Sequence, residues 1–209
     1  MRRGQVTLFV VIGLLLLLTI TFIFSLPENN SSIESNNDVE YYMQDCAEKK
    51  AERAMKLAGQ TGGMFREEVA FTAYLDSMPS LNNIKQNLSK ELKKGIKECA
   101  ELDFPGKNVT PGNLSIDVSF AKTTRFEIEN FYRIESRNQA MYEDYYEIEL
   151  DIPFRKIYNT VEFILEDEYI HDRGMLRSEG LLIEGQDMQE YQLWAVTAND
   201  YVFAFALRN

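Results

Sequence analysis

A long uncharged segment near the N-terminus constrains this chain more than any other feature. Val6 to Leu26 contains no charged residue, and Arg2 and Arg3 precede it. At 1.5 Å per residue a helix over this run is about 31 Å long, which matches the hydrocarbon thickness of a bilayer. We therefore predict that residues 6–26 form a transmembrane helix in contact with the lipid bilayer.

The charges on either side of this helix predict its orientation. The positive-inside rule places the arginine end in the cytoplasm and the acidic remainder outside. A cleavable secretory signal is the competing interpretation, but its apolar region is usually about 7–15 residues long and ends at a small-residue site, which Phe24 to Pro27 does not provide. We expect a single-pass cell-membrane protein. Its predicted parts are a cytoplasmic basic end at 1–5, the transmembrane helix at 6–26, a polar stalk at 27–37 and an extracellular domain at 38–209.

The segment from Arg2 to Phe9 resembles the leader of archaeal type IV pilin-like proteins. Those leaders carry a basic-Gly-Gln motif that is cut between Gly and Gln, here Gly4 and Gln5. The resemblance implies a filament subunit whose apolar helix packs against copies of itself. Such pilins usually carry Glu at the fifth position of the mature chain, where this chain has Phe9.

A closer resemblance extends over most of the chain. Uncharacterised single-pass surface proteins of small-genome archaea begin with a similar basic-Gly-Gln-Val-Thr stretch. In that group a helix with one Cys leads to Gly-Gly, a Pro-Ser-Leu start opens a second Cys-bearing helix, and a late strand is similar to Tyr201 to Ala206. The same features occur here in the same order. The resemblance implies an archaeal surface protein and no particular activity.

The composition agrees with one exported domain. The chain after Leu26 is long enough for a single hydrophobic core. The formal net charge of −11 argues against nucleic acid as a partner and against adsorption to an anionic membrane surface.

Five Asn-X-Ser/Thr triplets are candidate N-glycosylation sites in a chain predicted to lie outside the cell. The asparagines are Asn29, Asn30, Asn87, Asn108 and Asn113.

Cys46 and Cys99 are the two cysteines of the chain, and each lies in a segment with helical apolar periodicity. Both therefore face a shared helix interface, and an exterior location favours a disulfide between them. Such a bond would close a loop of roughly 50 residues and contribute about 4 kcal/mol in the chain-entropy model. The alternative is a pair of buried thiols. We predict no zinc site, because the sequence offers two cysteines and one histidine, His171.

Periodicity predicts an α+β domain with two Cys-bearing helices, a third helix and a mainly antiparallel sheet. The first helix should run from Asp38 to Ala58, and the second should follow Ser80 as its N-cap and reach Ala100. The third should run from Phe154 to about Tyr169. Strands are predicted at 114–120, 126–128 and 146–152, a turn or short helix at 175–183, and a hairpin of 191–196 with 201–207 that buries Trp194.

Two clusters are compatible with a site and also with simpler interpretations. Acidic residues from Glu166 to Asp172 flank His171 and could bind a cation or support hydrolysis, but we favour a solvated acidic helix end, because the cluster lacks an EF-hand pattern and His171 lacks a nucleophile motif. The densest aromatic region could stack on sugars or contact a protein, whereas half of its rings could fill a buried sheet face. Its members are Phe131, Tyr132, Tyr142, Tyr145 and Tyr146.

The sequence therefore favours a membrane-anchored surface protein with a structural, adhesive or partner-binding domain. The expected partner is a surface protein or a glycan. We predict no enzymatic activity and assign no catalytic, cofactor or metal residue. The alternatives are a divergent pilin-like filament subunit and a surface hydrolase with an acidic site.

Overall fold

The computed structural model describes residues 36–65, 73–74, 78–136, 139–166, 175–178 and 180–208. These residues form an α+β fold, as predicted. The helices are α1 (Asn36–Gln60), α2 (Leu81–Ala100) and α3 (Phe154–Glu166). The strands are β1 (Ala73–Tyr74), β2 (Lys107–Pro111), β3 (Ser115–Phe120), β4 (Thr124–Ser136), β5 (Gln139–Leu150), β6 (Met175–Ser178), β7 (Leu181–Asp187), β8 (Tyr191–Ala198) and β9 (Tyr201–Arg208).

The predicted transmembrane segment at residues 6–26 lies outside the described residues, as do the basic end at 1–5 and most of the stalk. Among the residues that the structure describes, no helix is long and apolar enough to cross a bilayer. Asn36 and Asn37, which we assigned to the stalk, form the first turn of α1. The first helix of the domain therefore begins slightly before its apolar repeat.

A disulfide joins the first two helices. Cys46 of α1 is bonded to Cys99 of α2, as predicted, and their Cα atoms are 6.1 Å apart. The buried face of α1 is rich in alanine, while α2 buries larger aliphatic side chains against it. At Gly95 of α2 an added Cβ would lie 2.8 Å from the Cβ of Lys50, so glycine lets the two helices approach closely. Ser80 caps α2, because its side chain accepts a hydrogen bond from the Asn83 amide at 3.2 Å.

The strands form two sheets. The first has the order β1-β9-β8-β7-β6, with β1 parallel to β9 and the other pairs antiparallel. In the second, β4 is central: β5 pairs along one edge, while β3 and β2 share the other edge. Helix α1 packs against β5 and β9, α2 against β2 and β3, and α3 against β8. The helices thus cover strands of both sheets.

The segment at 175–183 corrects our prediction of a turn or short helix. It contributes β6 and the start of β7, which pair as an antiparallel hairpin. Gly180 precedes β7 with a φ of 85°, a conformation that glycine adopts readily. The apolar residues of this segment occur in adjacent groups that fit both the period of a helix and the period of a strand. The turn at Gly180 is what favours two strands over a helix.

Aromatic side chains link the remaining helix to the sheets. Phe154 at the start of α3 is fully buried, and its ring centroid lies 4.7 Å from that of Phe120 and 6.0 Å from that of Phe203. Trp194 of β8 is 1% exposed, which confirms its prediction as a core residue. Helix α3 ends at Glu166 among the described residues, and the predicted extension to Tyr169 lies outside them.

Candidate functional site

A β-bulge between β4 and β5 creates the most distinctive surface of the domain. The register of the two strands shifts between Glu129 and Tyr132, and Asn130 adopts a φ of 52°. Asparagine enters this left-handed region more readily than most residues. A Cβ added to Gly112, in the turn between β2 and β3, would lie 2.1 Å from the carbonyl oxygen of Asn130. The turn therefore packs directly on the bulge.

The bulge turns some aromatic side chains inward. Phe131 and Tyr132 are both buried, and Phe131 stacks on Tyr146 with ring centroids 5.2 Å apart and planes at 7°. The Tyr146 hydroxyl donates a 2.6 Å hydrogen bond to Glu48 of α1. These side chains connect β4 and β5 to α1, which is the structural role that we considered for the aromatic region.

Two other rings of the region are exposed. Tyr142 is 56% exposed and Tyr145 is 50% exposed, both on β5. The guanidinium of Arg133 lies 5.0 Å from the centroid of the Tyr142 ring and also pairs with Glu135. Tyr145 instead donates to Glu147 at 3.1 Å, and that bond raises the pKa of its hydroxyl. The aromatic region therefore divides into three rings that pack inward, of which Tyr146 is half-buried, and two exposed rings.

Beside Tyr142 the surface opens into a cleft of about 540 Å³, here called the Tyr142 cleft. Its walls come from the β2–β3 turn, the bulge and β5. The lining residues are Thr110, Pro111, Gly112, Asn113, Asn130, Tyr132, Arg133, Tyr142, Glu143 and Asp144.

Two polar atoms of the Tyr142 cleft residues are buried without a hydrogen-bond partner among the described residues. They are the hydroxyl of Tyr132 and Nε of Arg133. Buried polar groups are ordinarily hydrogen-bonded, so these two atoms are unsatisfied within the described part of the fold. The side chain of Asn130 also donates a 3.4 Å hydrogen bond to the carbonyl oxygen of Asn113.

The electrostatics of the Tyr142 cleft are acidic on the β5 side. Burial raises the pKa of Glu143, and the neighbouring Glu40 and Asp144 raise it further. Burial also raises the pKa of the Tyr132 hydroxyl, with added contributions from Glu40 and Glu143. Tyr132 is therefore a neutral hydroxyl at physiological pH. The cleft offers an aromatic face, one guanidinium, carboxylate acceptors and amides, which is the chemistry of a polar binding site.

A second cleft of about 490 Å³ lies where the end of α1 meets β5 and the β8–β9 turn. Glu52, Asp151 and Asp200 line it together with Lys56. The side chain of Asn199 donates to both the carbonyl and the carboxylate of Asp151, at 3.2 and 3.1 Å. These two hydrogen bonds link the end of β5 in one sheet to the β8–β9 turn of the other. Across the described residues no group of His, Cys, Asp and Glu is placed to hold a metal ion.

The predicted site residues are distributed unevenly. Asn113 lines the Tyr142 cleft, Asn108 is exposed on β2, and Asn87 is half-buried in the middle of α2. The topology and processing residues Arg2, Arg3, Gly4 and Gln5 lie outside the described residues, as do Asn29 and Asn30. Of the acidic cluster near His171 only Glu166, the last residue of α3, is described.

Arg133 and Asn130 were not singled out from the sequence. One signal was present: the alternation of apolar residues in β4 breaks where Phe131 and Tyr132 become adjacent, directly after an asparagine. Such a break is typical of a bulge. The approach of the β2–β3 turn to that bulge leaves no comparable trace in the sequence.

Comparisons of this chain with protein-family models, with curated proteins and with solved structures find no match.

Proposed function

We propose that this chain is a single-pass membrane protein of the cell surface whose exterior domain binds a saccharide through the Tyr142 cleft, without catalysis. One observation carries the proposal. Tyr142 is 56% exposed although Arg133 contacts its ring, so more than half of the side chain is free to contact a ligand.

The chemistry of the Tyr142 cleft favours a saccharide over an apolar peptide. The C–H groups of a sugar ring carry partial positive charge and pack on the negative face of an aromatic ring. Adjacent sugar hydroxyls need donors and acceptors together, which Arg133, Asn130 and Asp144 supply. Apart from Pro111 and Gly112, the described side chains that line the cleft carry polar or charged groups, so the cleft offers no aliphatic pocket for an apolar anchor of a peptide.

The charges of the Tyr142 cleft favour a neutral saccharide over an acidic one. Glu143 and Asp144 outnumber Arg133 in the lining. An acidic polysaccharide would place its carboxylates or sulfates beside these groups, at an electrostatic cost. We therefore favour a neutral, hydroxyl-rich saccharide such as a cell-surface glycan.

The exterior location rests on two sequence and structural features. The charge asymmetry around residues 6–26 favours export of the domain. The disulfide between Cys46 and Cys99 is the kind of bond that persists outside the reducing cytosol.

The test is binding of the full-length protein, purified in detergent from a host that does not glycosylate it, to an array of neutral and acidic oligosaccharides. We expect a neutral ligand, and we expect Y142A to weaken its binding about tenfold or more, equivalent to about 1.4 kcal/mol. Replacement R133K keeps the charge but removes the planar group over the ring, so it should also weaken binding.

Y145A is the matched control, because Tyr145 is on the same strand with a similar exposed fraction and does not line the cleft. It should leave binding unchanged. Equal losses in Y142A and Y145A, or the absence of any bound oligosaccharide, would refute the proposed function.

A further inference from the structure

One candidate glycosylation site is built into the wall of the Tyr142 cleft. Asn113 is exposed in the turn between β2 and β3, Leu114 is buried at 6% exposure, and Ser115 is exposed. The carbonyl oxygen of Asn113 accepts the hydrogen bond from Asn130. Its side-chain amide makes no hydrogen bond to any described residue, so the acceptor nitrogen is free for modification.

The other described triplets are placed differently. Asn87 lies inside α2, and the hydroxyl of its partner Ser89 donates a 3.1 Å hydrogen bond to the carbonyl oxygen of Ile116. That triplet is helical and its hydroxyl is engaged, whereas glycosylation acceptors belong to surface loops. In the third triplet Thr110 lines the Tyr142 cleft, but the exposed Asn108 itself does not.

We propose that Asn113 carries an N-linked glycan and that its first sugars pack over Tyr142, where they close the cleft to other saccharides. The closure rests on the proposed function, while the modification and its contact with Tyr142 do not. The donor would be a lipid-linked sugar phosphate or diphosphate. The Asn113 amide nitrogen bonds to the anomeric carbon, the anomeric C–O bond to phosphate breaks, the phosphate leaves with the electron pair, and the amide gives one proton to a base.

The contact follows from the size and chemistry of the site. Asn113 and Tyr142 line the same cleft of about 540 Å³, so a sugar attached to one wall lies within reach of the other. Its ring can pack on the exposed face of Tyr142, and its hydroxyls can pair with the carboxylate of Asp144 in the same cleft. A tethered ligand also acts at an effective concentration near the millimolar range, and it therefore excludes weakly binding free saccharides.

The experiment uses the full-length protein purified from its native membrane. Peptide mass spectrometry should find a glycan on Asn113 and an unmodified Asn87. S115A removes the hydroxyl that the Asn-X-Ser triplet requires while it keeps the acceptor asparagine, and N113Q removes the asparagine itself. In both variants hydroxyl-radical oxidation of Tyr142 should rise several-fold over the wild-type protein, while oxidation of Tyr145 stays constant.

N108Q is the matched control, since it replaces an exposed asparagine that does not itself line the Tyr142 cleft, and it should leave both oxidation rates unchanged. Thermal unfolding of S115A and N113Q checks that they fold. An unmodified Asn113 in native protein, or equal Tyr142 oxidation in wild type and both variants, would overturn the inference. Neither result bears on saccharide binding by unglycosylated protein, so failure of the inference and failure of the proposed function remain distinguishable.

Discussion

Two tyrosine hydroxyls near the bulge have opposite environments. The Tyr132 hydroxyl is buried and has no partner among the described residues. The Tyr146 hydroxyl donates to the Glu48 carboxylate at 2.6 Å and joins β5 to α1. An unpaired buried hydroxyl has lost its water without compensation, whereas a hydrogen bond to a charged acceptor stabilises the folded state. The same functional group therefore contributes differently at two neighbouring positions.

Replacement of each tyrosine by phenylalanine should reveal this difference. In unglycosylated protein Y132F should leave the free energy of unfolding unchanged or raise it by up to about 1 kcal/mol, because it removes an unsatisfied polar atom. Y146F should lower it by about 1 kcal/mol, because it breaks the bond to Glu48. Urea unfolding followed by circular dichroism measures both. Equal losses in the two variants would mean that the Tyr132 hydroxyl is paired in the folded protein.

At the residue scale the sequence predicts what depends on local chemistry. Ser80 caps α2 as expected, since the serine hydroxyl bonds to the backbone three residues later along the chain. The left-handed conformation of Asn130 was not predicted, because it depends on the turn at Gly112 that packs against it. Contacts of that kind join residues that are separate in the sequence.

At the scale of elements, periodicity predicted the helices and the β8–β9 hairpin but underestimated the second sheet. The structure extends β4 over Thr124–Ser136 and β5 over Gln139–Leu150, beyond the predicted strands at 126–128 and 146–152. The bulge interrupts the two-residue period in the middle of β4, so the pattern identifies one half of the strand. The prediction of a turn or short helix at 175–183 was wrong, because the apolar pattern did not reveal the turn at Gly180 that joins β6 to β7.

The disulfide supports the pairing of α1 and α2, and its removal should destabilise the domain. Cys46 and Cys99 are 53 residues apart, so the bond restricts the unfolded chain strongly. We expect C46A/C99A to lower the free energy of unfolding by about 4 kcal/mol. Denaturant unfolding in the presence and absence of dithiothreitol measures this change.

The double variant also supplies the control for the disulfide. Dithiothreitol should destabilise the wild-type protein and leave C46A/C99A unaffected. A loss below about 1 kcal/mol on reduction would show that helix packing, rather than chain entropy, holds the two helices together.

At the scale of the whole molecule, the sequence predicted the class of fold but not how its parts meet. The end of α1 contacts β9 so closely that a Cβ on Gly59 would lie 2.3 Å from the carbonyl oxygen of Val202. Likewise, the Tyr142 cleft combines the β2–β3 turn with β4 and β5. Hydrophobic periodicity assigns a buried face to each element, but several arrangements of the elements bury the same faces.

The anchoring of the chain gives the last prediction. A pilin leader would be cut after Gly4, which places the new amino group of Gln5 in a helical core of low dielectric. The glutamate that usually neutralises this amine is replaced by Phe9, and an uncompensated buried charge costs several kcal/mol. An uncleaved helix instead keeps Arg2 and Arg3 at the cytoplasmic headgroups, without that penalty.

We therefore expect the mature chain to begin at Met1 or Arg2 and residues 6–26 to remain in the bilayer. N-terminal sequencing of protein extracted from native membranes measures this directly, and protease added to intact cells should digest the exterior domain. The variant F9E restores the acid and is the informative comparison. If the leader remains uncut, as we expect, cells that express F9E should release no filaments. A wild-type chain that starts at Gln5 and is recovered from sheared filaments would replace the anchor with a pilin-like subunit.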